Sequence, residues 1–211
     1  MLVLAVDTAT PAVTAGVVDL DSEGLTHTLG SRVTIDARAH GELLTPHVIE
    51  ALDEAGKTFA DLDAIVCGSG PGPFTGLRAG MVTAGALGQA LNRPVYPVST
   101  LDAIAADHPE VRQLLVVTDA RRREVYWARY ERGRRIIGPD VQKPAELEGL
   151  AVDLVVGADL LERQVEPWSP SPEGLVKAAA HLFGETPPPL TPLYLRRPDA
   201  VEPGARKRVS Q

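Results

Sequence analysis

One stretch in the middle of the chain concentrates the residue types best suited to holding an anion: Gly68, Ser69, Gly70, Pro71, Gly72, Pro73, Phe74, Thr75, Gly76, Leu77, Arg78, Ala79 and Gly80. A glycine loop between a strand and a helix start offers free backbone N–H groups and the positive end of a helix dipole, which suits a phosphate or a carboxylate. Nucleotide binding is therefore permitted, with Gly70 and Gly72 as the candidate contacts. Self-sufficient triphosphate hydrolysis is not supported. Leu77 and Arg78 stand after Gly76 where a P-loop needs Lys and Ser/Thr, and the spacing is not that of a dinucleotide fingerprint either.

Asp7, Thr8 and Thr10 end a short apolar run. Actin-like phosphotransferases place a carboxylate at such a strand end, where it orients metal and water near phosphates. Ordinary turn chemistry, in which Asp and Thr bond their own backbone, accounts for the same residues more simply. Cys67 sits in the apolar run Ala64, Ile65, Val66 and reads as an inert core thiol; a single cysteine also excludes an internal disulfide. The five histidines, His27, His40, His47, His108 and His181, include no i, i+4 pair that would chelate a metal. Arg121, Arg122, Arg123, Arg129, Arg132, Arg134 and Arg135 interleave with Tyr126, Trp127 and Tyr130. That pattern suits phosphate contact and base stacking. Equally, Tyr126, Ala128 and Tyr130 on one face with Arg129 on the other make an ordinary strand closed by a hairpin at Gly133, which is the favoured reading.

These groups need elements to hold them. Residues 2–6 and 13–18 read as two strands around a tight turn, with a third run at 29–35. Residues 40–55 carry Leu43, Leu44, His47, Ile49 and Leu52 at helical spacing, stopped by Gly56, with Pro46 as a kink or in the first turn. A strand at 62–67 feeds the glycine loop, and a helix follows from about residue 75 to 91. This is a βα unit of a parallel or mixed sheet. The second helix has Gly76, Gly80, Ala84 and Gly88 at every fourth residue, and helical glycines cost about 1 kcal/mol each relative to alanine. Close packing must offset that cost, either against the chain's own sheet or against a partner's helix, and both remain open.

The second half repeats the plan: residues 114–117 lead to Asp119, a turn at 120–123 follows, and a strand leaves at 124–130. Asp7 and Asp119 occupy equivalent places, and residues 152–156 deliver the chain into Gly157 as the earlier strand does into Gly68. The expected fold is α/β, with two related lobes joined near residues 101–112. The first covers residues 1–105. A shortened second lobe covers 106–195 with one helix at 173–183, and a flexible tail runs over 196–211. With 44% hydrophobic and 23% charged residues the chain can bury a core, and a formal net charge of −7 argues against a whole-surface nucleic-acid binder. The first six residues are apolar without a basic leader, so neither a signal peptide nor a membrane span is expected and the protein should be cytoplasmic.

The runs LAVDTAT, GPGPFTGLRAG, DARRREVYWARY and PLYLRRPDA, in this order over nearly the whole chain, closely resemble the TsaB (YeaZ) family. The resemblance implies two actin-like lobes of the RNase H-like superfamily. It also implies a role in installing the threonylcarbamoyl group on N6 of the adenosine beside the anticodon of tRNAs reading A-starting codons. In that machinery a TsaD-like relative carries the metal and transfers the group, a TsaE-like ATPase joins the pair, and the TsaB-like chain is the scaffold. TsaD-like chains carry a His-Leu-Glu-Gly-His metal motif after the same helix. Here the aligned residues are Thr100, Leu101, Asp102, Ala103 and Ile104, which lack both ligand histidines.

The resemblance thus implies a non-catalytic subunit with no cofactor of its own, adenine nucleotide and metal residing on the partners. Its partner surface would lie on the two first-lobe helices, with Leu43, Leu44, His47, Met81, Ala84, Gly85 and Gly88 as contact candidates. Alone, the same surface could form a homodimer, and tRNA would be met mainly through the complex. The alternative from another class is an actin-like small-molecule kinase or ATPase using Asp7 and the glycine loop. A glycoprotease label, once attached to such relatives, finds no support, because no zinc-protease pair or activated nucleophile is present.

Overall fold

The computed structural model describes residues 1–196 and contains two five-stranded sheets. The first takes β1 (Leu2–Asp7), β2 (Ala12–Leu20), β3 (Thr26–Ile35), β4 (Ala64–Gly68) and β5 (Val95–Val98) in the order β3-β2-β1-β4-β5. β1 pairs antiparallel with β2 and parallel with β4. Every residue of β1 and β4 is buried, as their unbroken apolar runs require of strands covered on both faces. The second sheet takes β6 (Gln113–Asp119), β7 (Val125–Glu131), β8 (Arg134–Gln142), β9 (Leu154–Gly157) and β10 (Glu166–Pro167) in the order β10-β9-β6-β7-β8. Its pairings repeat the first sheet strand for strand, antiparallel for β6–β7–β8 and parallel for β6–β9–β10. The fold is thus two actin-like lobes, with β6 standing where β1 stands.

Helices α1 (His40–Ala55) and α2 (Phe74–Leu91) cover one face of the first sheet, burying Leu44, Val48, Leu77, Met81 and Ala84 on Leu4, Val6 and Ile65. Each follows a strand parallel to β1, so the two helices run side by side from neighbouring starts. Pro46 lies well inside α1, and Gly56 ends that helix with φ +62°.

Packing corrects two expectations about the lobes. Residues 100–106, which overlap the region expected to join them, form helix α3 (Thr100–Ala106), which buries Leu101, Ile104 and Ala105 in the second-lobe core and Ala103 in the first. Helix α4 (Pro172–Ala179), expected in the second lobe, lays Leu175, Val176 and Ala179 on Val3, Ala5, Val18 and Val66 of the first sheet. The face of that sheet opposite α1 and α2 is apolar, and α4 is the amphipathic helix that covers it. A division at residues 105 and 106 therefore does not follow the packing.

The chain then returns to the first lobe. Leu190 packs beside the α1/α2 core, and the Leu193 N–H donates to the Ser69 carbonyl at 2.8 Å. Of the tail expected over 196–211, only Arg196 falls among the described residues. No helix among them is long and apolar enough to cross a membrane.

Candidate functional site

Parallel pairing of β1 and β4 brings Asp7 and the glycine loop to one corner. Asp7 is fully buried; its Oδ1 accepts the Ala9 N–H at 2.8 Å and its Oδ2 accepts the Thr100 hydroxyl at 2.6 Å. Burial pushes its carboxyl up to about 6, opposed by the Thr100 and Ala9 hydrogen bonds and by nearby His40. Thr8 Oγ1 donates to the Gly76 carbonyl at 2.7 Å and accepts the Gly80 N–H at 3.0 Å, pinning the first turns of α2. In the loop, Gly70 has φ +95° and its carbonyl accepts the Thr100 N–H at 2.8 Å. A Cβ on Gly68 would overlap the Asp7 carboxylate, and one on Gly72 would overlap the Ala9 carbonyl.

Asp7, Thr8, Gly70 and Gly72 are thus gathered into one corner, but they are packed on each other. Each Asp7 oxygen accepts a protein donor, and the close approach that glycine permits is to the Asp7 side chain at Gly68 and to the Ala9 backbone at Gly72. These contacts are those of ordinary turn chemistry. Cys67 lies beneath, its thiol pushed well up by burial and by the Asp7 carboxylate, which keeps it inert.

The interface candidates separate by burial. Leu44, His47, Met81, Ala84 and Gly88 face the interior, a correction to the expectation that they meet a partner. His47 Nε2 lies 2.9 Å from Thr34 Oγ1 on β3. A Cβ on Gly80 would overlap Thr8 and one on Gly88 would overlap Val95, so the small-residue ridge serves the helix's own sheet. Leu43 and Gly85 are half-buried, and the large outward apolar residues are Ile49, 46% exposed, and Val82, 70% exposed. Leu190 would stand 3.3 Å from a Cβ on Gly85. The same returning segment sets Tyr194 edge-on to Phe74 at 4.8 Å, and Arg78 Nε donates to the Tyr194 hydroxyl at 2.7 Å. Sequence reading missed both this strap and the Thr100–Asp7 bond. The apolar residues set among prolines at 187–194 were the available sign of the strap; nothing local marks Thr100.

Where a TsaD-like chain would carry its metal motif, the residues present do not fit a metal. Thr100 is committed to Asp7, and Ile104 is fully buried in the second-lobe core. Asp102 accepts the Tyr130 hydroxyl at 2.7 Å and Arg135 Nη1 at 2.8 and 2.9 Å. Among the described residues, no group of three His, Cys, Asp or Glu side chains could hold a metal ion.

The second corner, at Asp119, is built differently. Asp119 Oδ1 accepts the Arg121 N–H at 2.6 Å, repeating the Asp7–Ala9 turn, but Arg121 Nη1 also pairs with Oδ2 at 3.1 Å. Arg121, Arg122 and Arg123 all take left-handed φ values, +62°, +56° and +61°. For a residue with a Cβ that conformation costs about 1 kcal/mol or more. A cavity of about 540 Å³ opens between the lobes, lined by Thr10, Val33 and Ile35 on one side and by Thr118, Asp119 and Trp168 on the other. Asp119 borders this space and Asp7 does not.

The basic stretch expected over residues 121–135 is divided by the β7 strand. Arg129 is held by Gln113 Oε1 at 2.8 and 3.1 Å, and Arg135 by Asp102, while the 121–123 turn lies at the opposite end of β7 from Arg132, Arg134 and Arg135.

A family model described as "TsaD: tRNA N6-adenosine threonylcarbamoyltransferase" matches residues 29–186. An uncharacterised protein of Mycobacterium tuberculosis is 56% identical over 203 residues, covering 94% of this chain and 93% of its own. The tRNA threonylcarbamoyladenosine biosynthesis protein TsaB of Escherichia coli is 29% identical over 210 residues, covering 88% of each chain. Among solved structures, YeaZ from Pseudomonas aeruginosa superposes with a TM-score of 0.74 at 29% identity, over 92% of this chain and 99% of that one.

Proposed function

Because the chain belongs to the tRNA N6-adenosine threonylcarbamoyltransferase (TsaD) family, on its TsaB (YeaZ) side, we propose that it acts as the non-catalytic subunit in making N6-threonylcarbamoyladenosine on tRNA. It binds and activates a TsaD-like catalytic chain. The observation carrying this reading is the fate of the metal-motif segment: Thr100 is bonded to a buried aspartate and Ile104 is in the core. Residues so committed hold the lobes together and leave no ligand set. In this reading the chain uses no nucleotide of its own, which the close backbone packing of the glycine corner supports. Adenine nucleotide and metal then belong to the partner chains, a TsaE-like ATPase among them, in the cytoplasm. No observation favours the kinase reading, which would need Asp7 to reach a ligand.

The partner surface is the outward face of α1 and α2, around Val82, Ile49 and half-buried Leu43. Exposed branched aliphatics on adjacent helices suit a helix-pair interface, and the same face makes a two-fold homodimer when the partner is absent. The test is Val82→Glu together with Ile49→Glu. The doubly substituted chain is expected to stay folded by circular dichroism, lose copurification with the TsaD-like chain, and fail to support tRNA modification in a reconstituted assay. Retained copurification and modification would overturn the assignment. A charged residue at Gly88 is unsuitable for this purpose, since it would unseat Val95 and the fold with it.

A further inference from the structure

We propose that the turn formed by Arg121, Arg122 and Arg123 is a contact site for the sugar-phosphate backbone of RNA, an inference that rests on the tRNA-modification reading above. Its geometry is the starting point. Three successive residues hold left-handed φ values that glycine or asparagine adopts readily, and all three are exposed arginines. Strain kept in place at the surface, where no core packing rewards it, points to a use for the side chains. Arginine's planar fork is the group that matches phosphate oxygens in two-point hydrogen bonds.

The surroundings support the assignment. The turn is fixed at both ends: Asp119 accepts the Arg121 N–H, and the Glu124 N–H donates to the Arg121 carbonyl at 3.1 Å. Lys143 lines a groove together with Arg122 and Arg123, and the acids Glu148 and Glu162 line it too. From the other side, Arg196 donates to the Ala120 carbonyl at 3.3 Å and pairs with Glu124. Arg121, Arg122, Arg123, Lys143 and Arg196 thus gather basic charge at one spot on a chain whose formal net charge is −7. The arginines at the far end of β7, Arg132, Arg134 and Arg135, do not share it, since the length of the strand separates them from the turn.

The experiment uses the full chain bound to its TsaD-like partner and an unmodified tRNA transcript reading an A-starting codon. Binding is followed by fluorescence anisotropy across a salt series. Arg122→Gly with Arg123→Gly relieves the backbone and removes both forks. It is expected to leave the melting temperature equal or higher, weaken tRNA binding about tenfold, and flatten the slope of log affinity against log salt by about one to two, since each lost phosphate contact removes close to one. In the modification assay KM for tRNA rises and kcat holds. Arg123→Asn, which also tolerates the conformation, should lose a smaller share of affinity, and Arg134→Gln should change nothing. Unchanged affinity and salt slope in the glycine variant would overturn the proposal, as would a lowered melting temperature, which would make the arginines structural. Failure of the unsubstituted chain to support modification would instead sink the functional reading on which the proposal rests.

Discussion

Asp7 and Asp119 end the same strand of two sheets with the same topology, and each accepts the N–H of the residue two positions on. One corner is closed and the other open. Behind Asp7 the chain leaves β4 through the glycine loop into the eighteen-residue α2, and Gly68 presses on the aspartate itself while the loop and helix press on the next residues, Gly72 on Ala9 and Gly80 on Thr8. Behind Asp119 it leaves β9 at Gly157 and reaches β10 at Glu166 with no helix between them. The missing helix leaves Asp119 part-exposed beside an inter-lobe cavity and lets Arg121 reach its carboxylate. A motif's residues therefore do not decide what a corner does; the element packed behind them does.

The comparison breaks most severely under added bulk. Gly80→Leu would drive its side chain into Thr8 and is expected to destabilise the protein by about 3 kcal/mol, whereas Ala158→Val, beside the open corner, should stay within about 0.5 kcal/mol. Denaturant midpoints read both. Equal effects would mean that the two corners are packed alike.

Removing one hydrogen bond should separate them less. Thr100→Val leaves a buried Asp7 oxygen without its donor and is expected to cost about 2 kcal/mol. At the other corner Asp119→Asn weakens a part-exposed ion pair and should cost about 0.5 kcal/mol or less.

The subtlest difference is in pH dependence. Burial raises the Asp7 carboxyl to about 6 from an ordinary 3.8, so the folded chain holds a proton that the unfolded chain releases between those values. Stability contributed by this group is present below about pH 4 and is lost as pH rises to about 6, by about 2 to 3 kcal/mol at most. Asp21, Glu54, Asp61 and Glu173 are shifted downward and act in the opposite sense, so the informative quantity is the difference between wild type and Asp7→Asn. That difference should change across pH 4 to 6 and be flat above it. A flat difference throughout would show that Asp7 titrates normally.

Much of the architecture is local and was legible in the chain. Unbroken apolar runs made β1, β4 and β6, helical spacing made α1, and Gly56 ended it, because burial patterns and caps are written within a few residues. The repeat that pairs Asp7 with Asp119 was legible for the same reason. The direction of the α2 glycines was not, since a small-residue ridge fits an internal sheet and a foreign helix equally well, and only Thr8 and Val95 decide between them.

Sequence by itself determined the two-lobed plan, the absence of both ligand histidines at Thr100 and Ile104, and the family to which such a chain belongs. Tertiary structure alone decided that α4 closes the first sheet, that residues 190–194 strap α2, that Ile49 and Val82 are the large outward apolar residues of α1 and α2, and that the arginines fall into two separate groups. These depend on contacts between residues tens of positions apart, and no local propensity carries that information.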